Sequence, residues 1–234
     1  MFTDKQVLLL DMNGTFMFSE DNFGDDEDYS IYYENIGGTE YADNINEIIQ
    51  YIYDHLDVRY PDIEYRESFP TVESVIKTHP DYNISDKEID RIVDTFAEHE
   101  IGKISSQYVN ILHELSLHYT LGLVIDIWSP KQKWLNLFQQ KGITSFVSAY
   151  SFSSDHGIVK PSPKPFNQIV TQLGVDKNRC LMIGDSERRD LGGAKAAGID
   201  CVLVGGAEHE DAVASYKNLI ALAKELMPVY ESVS

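Results

Sequence analysis

Apolar residues along the chain gather in short continuous runs, and longer segments with an amphipathic pattern lie between them. A short run without polar alternation is typical of a parallel strand that is covered on both faces. The runs predict five strands, at residues 7–10, 121–127, 145–150, 180–183 and 201–204.

The segments between these runs place apolar side chains close to helical spacing, as Val109, Leu112 and Leu115 illustrate. Alternating strands and helices predict an α/β fold with a doubly wound parallel sheet. Right-handed crossovers would bring the carboxyl ends of the strands to one edge, where ligands bind in such sheets. The predicted helices lie at residues 105–118, 131–141, 165–173, 190–197 and 211–226.

Residues 18–99 interrupt this alternation and predict a separate, mainly helical subdomain. This insert opens with an acidic, tyrosine-rich run before its first amphipathic segment. The α/β core would then consist of residues 1–17 and 100–234.

Two helices are predicted inside the insert. The segment 85–97 begins with Ser85 and Glu88 at the spacing of a capping box, in which each side chain would satisfy a backbone N–H. The segment 44–56 carries four isoleucines on one helical face, Ile45, Ile48, Ile49 and Ile52.

Composition and charge restrict the possible partners. Hydrophobic residues make up 43% of the 234 positions and charged residues 24%, as in ordinary globular proteins. The formal net charge of −19 would repel nucleic acid and anionic membranes, so we expect neither as a partner. The same charge would repel a phosphate ester, so a phosphate site would need a bound metal ion and a well-placed lysine.

The cysteines and the apolar runs indicate the cellular compartment in which we expect the protein. Cys180 and Cys201 lie in or beside apolar runs, which predicts buried thiols and no disulfide framework. A reducing cytoplasm therefore fits. The first apolar run is too short for a signal peptide, and no run reaches the length of a membrane span.

Three motifs carry candidate chemistry, and the first follows the first predicted strand. Asp11 ends that strand ahead of Asn13, Gly14 and Thr15, which places a carboxylate where a substrate could reach it. Gly14 would permit a close approach or an unusual turn. The alternative is an Asx-rich turn without chemistry.

The second motif is a lysine in a proline-rich loop. Lys160 precedes Pro161, which disfavours a helical backbone there, and the following prolines make a rigid loop that could direct the lysine into a site. A solvated surface lysine is the alternative, and Lys164 is the second choice.

The third motif places two acids after the fourth predicted strand. Asp185 and Asp190 could face one point beside a helix start, and such oxygen ligands suit Mg²⁺. Capping of the helix by Asp185 or Ser186 is the alternative.

The order DxNGT, KPxP and GDSxxxD resembles the haloacid dehalogenase superfamily over most of the chain outside the insert. The resemblance implies a Rossmann-like core and a helical cap that closes over the substrate. It implies that Asp11 attacks phosphorus and that Lys160 stabilises Asp11 and the developing negative charge. It also implies a Mg²⁺ ion held by Asp11, the Asn13 carbonyl and Asp185, with support from Asp190.

Two positions depart from this resemblance. Phosphatases of the superfamily carry a second aspartate where this chain has Asn13, so the usual acid–base group is missing. The hydroxyl expected after the next strand is also missing. The register places Ile125 and Asp126 there, and Ser129 is our candidate for binding a phosphoryl oxygen. Asp126 would repel a phosphate unless it turned away or was paired.

These features predict a Mg²⁺-dependent phosphatase acting on a small phosphorylated metabolite through an aspartyl phosphate. Asn13 would make it slow or specialised. One alternative is a 2-haloacid dehalogenase, because halide leaves without a proton. Another is a catalytically impaired binding protein, and an amide engineered at position 13 is a further one. The sequence predicts neither the substrate nor the oligomeric state.

Overall fold

The computed structural model describes residues 2–24 and 26–227. Its centre is a parallel six-stranded sheet with the strand order β3-β2-β1-β4-β5-β6. The chain order reverses at the central strand β1, as it does in doubly wound sheets. The strands are β1 (Val7–Leu10), β2 (Thr120–Ile125), β3 (Val147–Phe152), β4 (Cys180–Gly184), β5 (Asp200–Leu203) and β6 (Ala214–Ser215). The predicted α/β fold class is confirmed.

Helices cover both faces of this sheet. Successive side chains of a strand point to opposite faces, so Leu8 and Leu10 join one buried cluster while Val7 and Leu9 join another. This explains why the strand is apolar throughout. The helices of the core are α5 (Ser106–Ser116), α6 (Gln132–Gln140), α7 (Ser153–His156), α8 (Lys164–Leu173), α9 (Gly192–Ala197) and α10 (Leu219–Leu226).

Four helices lie in the predicted insert and share a third buried cluster. They are α1 (Ser30–Asn35), α2 (Ile45–Asp57), α3 (Val72–Lys77) and α4 (Asp86–Glu100). All four isoleucines of the predicted apolar face of α2 are fully buried. Val159 and the partly buried Trp128 also pack against this cluster. The division into a cap of residues 18–99 and a core of 1–17 and 100–234 stays a prediction.

The predicted helix at 211–226 is wrong in its first half. The backbone N–H groups of Val213 and Tyr216 donate to the carbonyls of Cys201 and Leu203, both at 2.9 Å. The free edge of β5 thus pairs with this segment, which contains β6. The helix begins only after Asn218, whose side chain accepts from the Ala221 N–H at 2.9 Å.

The predicted capping box of α4 is also wrong, although the helix itself is present. Ser85 makes no side-chain cap hydrogen bond. Glu88 is buried, accepts a short hydrogen bond from the Tyr33 hydroxyl and forms an ion pair with Arg91. The buried phenol and the guanidinium therefore hold the carboxylate that would have capped the helix. Within the described residues, no helix is long and apolar enough to span a membrane.

Candidate active site

Four of the predicted site residues meet at the carboxyl edge of the sheet. Asp11 follows β1, and Asp185 and Asp190 follow β4, which is the neighbour of β1. The Lys160 ammonium lies 2.5 Å from Asp11 Oδ1 and 2.8 Å from Asp190 Oδ1. Lys160, Asp11 and Asp190 are all buried. Lys164 is exposed and pairs with Glu67 at 2.5 Å, so it is not part of this cluster.

The arrangement fits a divalent cation. One carboxylate oxygen from each of Asp11, Asp185 and Asp190 lies within 4.8 Å of the others. Asp185 Oδ1 and Asn13 Oδ1 are buried and accept no hydrogen bond from the described residues. Gly14 has a φ of +69°, and a Cβ there would overlap the Asp185 carboxylate. Glycine thus lets the loop approach Asp185 closely. Oxygen donors of this kind are the ligands that Mg²⁺ prefers.

Charges within the cluster shift the titration of its members. Burial and the negative charge of Asp190 raise the pKa of Asp11 to about 7, and Lys160 acts against this rise. Burial and Asp190 also raise the pKa of Asp185. Burial alone would lower the pKa of Lys160, but the surrounding carboxylates, Asp11 first, outweigh it and raise that pKa. One ammonium therefore faces more negative charge than it balances, and a divalent cation would correct the excess.

A polar cavity of about 100 Å³ opens beside the cluster. Its walls combine core loops, the start of the insert and the segment after α2. The lining residues are Asn13, Glu20, Asp21, Tyr60, Glu100, Asp126, Trp128, Asp185 and Arg189.

The loop after β2 differs from the arrangement that the resemblance implied. Ile125 is buried in the core and offers no hydroxyl. Asp126 Oδ2 accepts from the Tyr60 hydroxyl at 2.9 Å and from the Lys160 N–H at 3.0 Å, so the acid is paired. Ser129 is fully buried, is not among the residues that line the cavity, and donates its N–H to Glu100. Phosphate binding by Ser129 stays a prediction without support from its position.

Glu100, at the end of α4, is a buried acid that sequence reasoning missed. Its two carboxylate oxygens accept the backbone N–H groups of Trp128 at 2.5 Å and Ser129 at 2.9 Å. Burial, with a smaller effect from Asp21, raises the pKa of Glu100 to about 7. The carboxyl thus joins the end of the insert to the loop after β2.

Tyr60 and Arg189 were also missed. Arg189 lies between the two predicted metal-binding acids, so that motif could have indicated it. Tyr60 belongs to a segment whose pattern gives no sign of a site. That segment reaches the loop that carries Lys160, since the Val159 N–H donates to the Arg66 carbonyl at 3.0 Å and Ser162 Oγ donates to Glu67 at 2.6 Å.

Comparisons with known proteins find hydrolases similar to this chain. The profile of a family described as haloacid dehalogenase-like hydrolase matches residues 40–204, most of the chain, although Asp11 lies outside the match. A phosphoglycolate phosphatase of Mesorhizobium japonicum is 30% identical over 122 residues, covering 50% of this chain and 53% of that protein. A glyceraldehyde 3-phosphate phosphatase of Pyrococcus abyssi is 33% identical over 86 residues, covering 37% and 35%. The chain thus spans about half or less of these relatives.

Solved structures share the fold over nearly the whole chain. A HAD phosphatase from Thermococcus onnurineus has a TM-score of 0.61 at 21% identity and covers 94% of this chain and 97% of its own. A 2-haloacid dehalogenase from Pseudomonas syringae pv. tomato has a TM-score of 0.59 at 17% identity, covering 95% and 97%. Phosphatases and dehalogenases are both among these neighbours, so the fold alone does not separate the two activities.

The acid cluster predicts a metal site that can be measured directly. Asp185→Ala removes one candidate oxygen ligand, and we expect the affinity for Mg²⁺ to fall at least tenfold in calorimetry. Asp43→Ala removes the same charge from an exposed position of the insert and should leave the affinity unchanged. Equal Mg²⁺ affinity in the two variants would contradict the assignment.

Glu100 predicts a pH dependence of stability. Its pKa rises from 4.5 in the unfolded chain to about 7 in the fold. Between these values the folded state binds more protons than the unfolded state, so stability falls as the pH rises, by at most about 1.4 kcal/mol per pH unit. In urea unfolding, we expect the free energy of unfolding of the wild type to fall relative to that of Glu100→Gln as the pH rises. Above pH 7, the difference between the two free energies should be constant. Parallel pH profiles would refute it.

Proposed function

We propose a Mg²⁺-dependent phosphatase function for this chain, which belongs to the haloacid dehalogenase-like hydrolase family. The observation that carries the proposal is the convergence of Asp11, Asp185 and Asp190 with Lys160 at the carboxyl edge of the sheet. The phosphatase names of the relatives support it. The substrate would be a small phosphorylated metabolite, and the two free, buried cysteines fit a cytoplasmic location.

The proposed reaction has two steps. Asp11 attacks the phosphorus of the ester, an O–P bond forms, and the bond from phosphorus to the leaving oxygen breaks. Water then attacks the aspartyl phosphate, which releases inorganic phosphate and restores the carboxylate. Lys160 holds Asp11 in position and balances negative charge through its hydrogen bond to Oδ1.

The metal would be held by this chain's own oxygen donors. Asp11, Asp185 and the Asn13 carbonyl are the proposed ligands, and Asp190 supports them. A bound Mg²⁺ supplies positive charge to the phosphoryl oxygens. Lys160 contacts both Asp11 and Asp190, so the ammonium also fixes the spacing of the two carboxylates.

The insert is proposed to act as a cap. Tyr60 lines the cavity, and its hydroxyl donates to Asp126 of the core. A cavity of about 100 Å³ has room for a phosphoryl group and little more, so the cap would open to admit a substrate. We expect its hinges near residues 16–19 and 100–103.

A 2-haloacid dehalogenase is the second candidate. Asn13 favours it, since halide leaves without needing a proton. The acid pair Asp185 and Asp190 counts against it, because that reaction needs no metal ion. An impaired binding protein on the same scaffold is the third candidate, and the missing hydroxyl at Ile125 favours that alternative.

Turnover of a small substrate panel separates these candidates. We expect the full chain to release phosphate from an aryl phosphate with Mg²⁺ present and not after chelation. We expect no halide from a panel of 2-haloacids. Halide release that is independent of metal would establish the dehalogenase instead. If the chain is inactive on both panels, the binding protein is the remaining candidate.

Restoring the acid–base group gives a second prediction. Asn13→Asp should raise phosphatase turnover by up to roughly 10²–10⁴-fold. The gain should be largest for an alkyl phosphate, whose leaving alkoxide needs a proton, and smallest for an aryl phosphate. Both proteins are compared at saturating Mg²⁺. If the wild type and Asn13→Asp turn over each substrate at the same rate, the phosphatase proposal is removed, or another group already transfers this proton.

A further inference from the structure

Arg189 is the only cationic side chain among the described residues that line the cavity, and it faces five carboxylates there, Glu20, Asp21, Glu100, Asp126 and Asp185. It lies in the π-helical turn Glu187–Leu191 between the two acid positions of the candidate metal site. Its backbone N–H donates to Ser186 Oγ at 3.1 Å, which fixes the turn that carries it. An anion entering the cavity would therefore meet one arginine.

The guanidinium of Arg189 is held in place without being neutralised by a close partner. Its central carbon lies 5.5 Å from the centre of the Tyr60 ring, within the range of a cation–π interaction. Its charge interacts with those of Asp190, Asp11 and Asp185. It nevertheless forms no ion pair and donates no side-chain hydrogen bond within residues 2–24 and 26–227. Its five N–H donors are thus available to a ligand.

Two backbone donors of the loop after β2 are already engaged. The N–H groups of Trp128 and Ser129 both donate to Glu100. Position 125, where a hydroxyl was expected, carries a buried isoleucine. Lys160 does not line this cavity and contacts Asp11 and Asp190. Among the described lining residues, Arg189 is therefore the only positively charged donor for an anion, beside the neutral amide of Asn13 and the indole of Trp128.

We propose that Arg189 binds the phosphoryl oxygens of a phosphate monoester in this cavity, held in position by the Tyr60 ring of the insert. The inference rests on the proposed phosphatase function and names a binding residue for it. A planar guanidinium presents two parallel N–H donors to a phosphate, which a point charge does not. Tyr60 acts as a positioning residue, so closure of the insert and binding of the phosphoryl group would be linked.

The adjacent arginine gives a matched control. Arg188 is exposed, donates to the Pro61 carbonyl at 3.2 Å and does not line this cavity. Arg189→Gln and Arg188→Gln remove the same charge from neighbouring positions, so any long-range electrostatic effect should be similar in both.

The experiment is calorimetry of inorganic phosphate binding to the full chain at saturating Mg²⁺. We expect Arg189→Gln to lose about ten- to a hundredfold in affinity, as for a charge-assisted hydrogen bond. Arg188→Gln should stay within about twofold, and Arg189→Lys should lie between the two. Equal losses in the two glutamine variants, unchanged affinity in Arg189→Gln, or no phosphate binding by the wild type would overturn the proposal.

Two further variants test the part played by Tyr60. Tyr60→Phe keeps the ring beneath the guanidinium and should retain phosphate affinity, whereas Tyr60→Leu removes the ring and should weaken binding several-fold. Equal affinities in these two variants would refute the positioning role.

Failure of this inference differs from failure of the proposed function. If phosphate binding depends on Arg189 but no ester is hydrolysed, the inference is supported and the phosphatase function is contradicted. Hydrolysis with an unchanged KM in Arg189→Gln would leave the phosphatase and remove the inference.

Discussion

The buried ammonium of Lys160 between Asp11 and Asp190 is the interaction on which the rest of the site depends. A buried charge is tolerated only when it is paired, and removing one partner of such a pair typically costs about 3–5 kcal/mol. Lys160 is fully buried and meets two carboxylates at 2.5 and 2.8 Å. The backbone must therefore hold a loop between β3 and α8 directly over the ends of β1 and β4. The parallel sheet supplies this alignment, because neighbouring strands end at one edge.

The same loop joins the two parts of the chain. Asp126 accepts hydrogen bonds from the Lys160 N–H and from Tyr60 of the insert, so one carboxylate connects the loop of Lys160 to the insert. Glu100 makes a second connection through the N–H groups of the loop after β2. In the sequence, Asp126 and Glu100 would be expected to repel a phosphate. In the structure, both carboxylates accept hydrogen bonds that hold loops together. Their negative charge remains, so under the proposed function an anion in the cavity would depend on a metal ion and on Arg189.

The sequence predicted the parts of this structure that local patterns determine. Continuous apolar runs identified five strands, and the ends of those strands identified Asp11, Asp185 and Asp190. Lys160 was indicated by its rigid loop. Tyr60 and Glu100 were missed because only the packing of the insert on the core brings them to the cavity. The segment before α10 was misassigned because its own pattern allowed a helix. In the structure, its backbone instead forms hydrogen bonds with the free edge of β5. Ser129 was chosen as the nearest hydroxyl; it is fully buried and is not among the residues that line the cavity, so its role stays a prediction.

Asn13 is best understood through the charge balance of this cavity. Five carboxylates already line it beside one arginine. Burial above all raises the pKa values of Asp11, Asp126 and Asp185. A further carboxylate at position 13 would raise these pKa values again unless a cation were bound. The amide avoids that repulsion while leaving the size of the side chain nearly unchanged. Under the proposed mechanism, the amide would leave the site without a proton carrier and make its integrity less dependent on bound metal. An aspartate at this position would place more of the stability of the site on Mg²⁺, so faster chemistry and a stronger metal requirement should appear together.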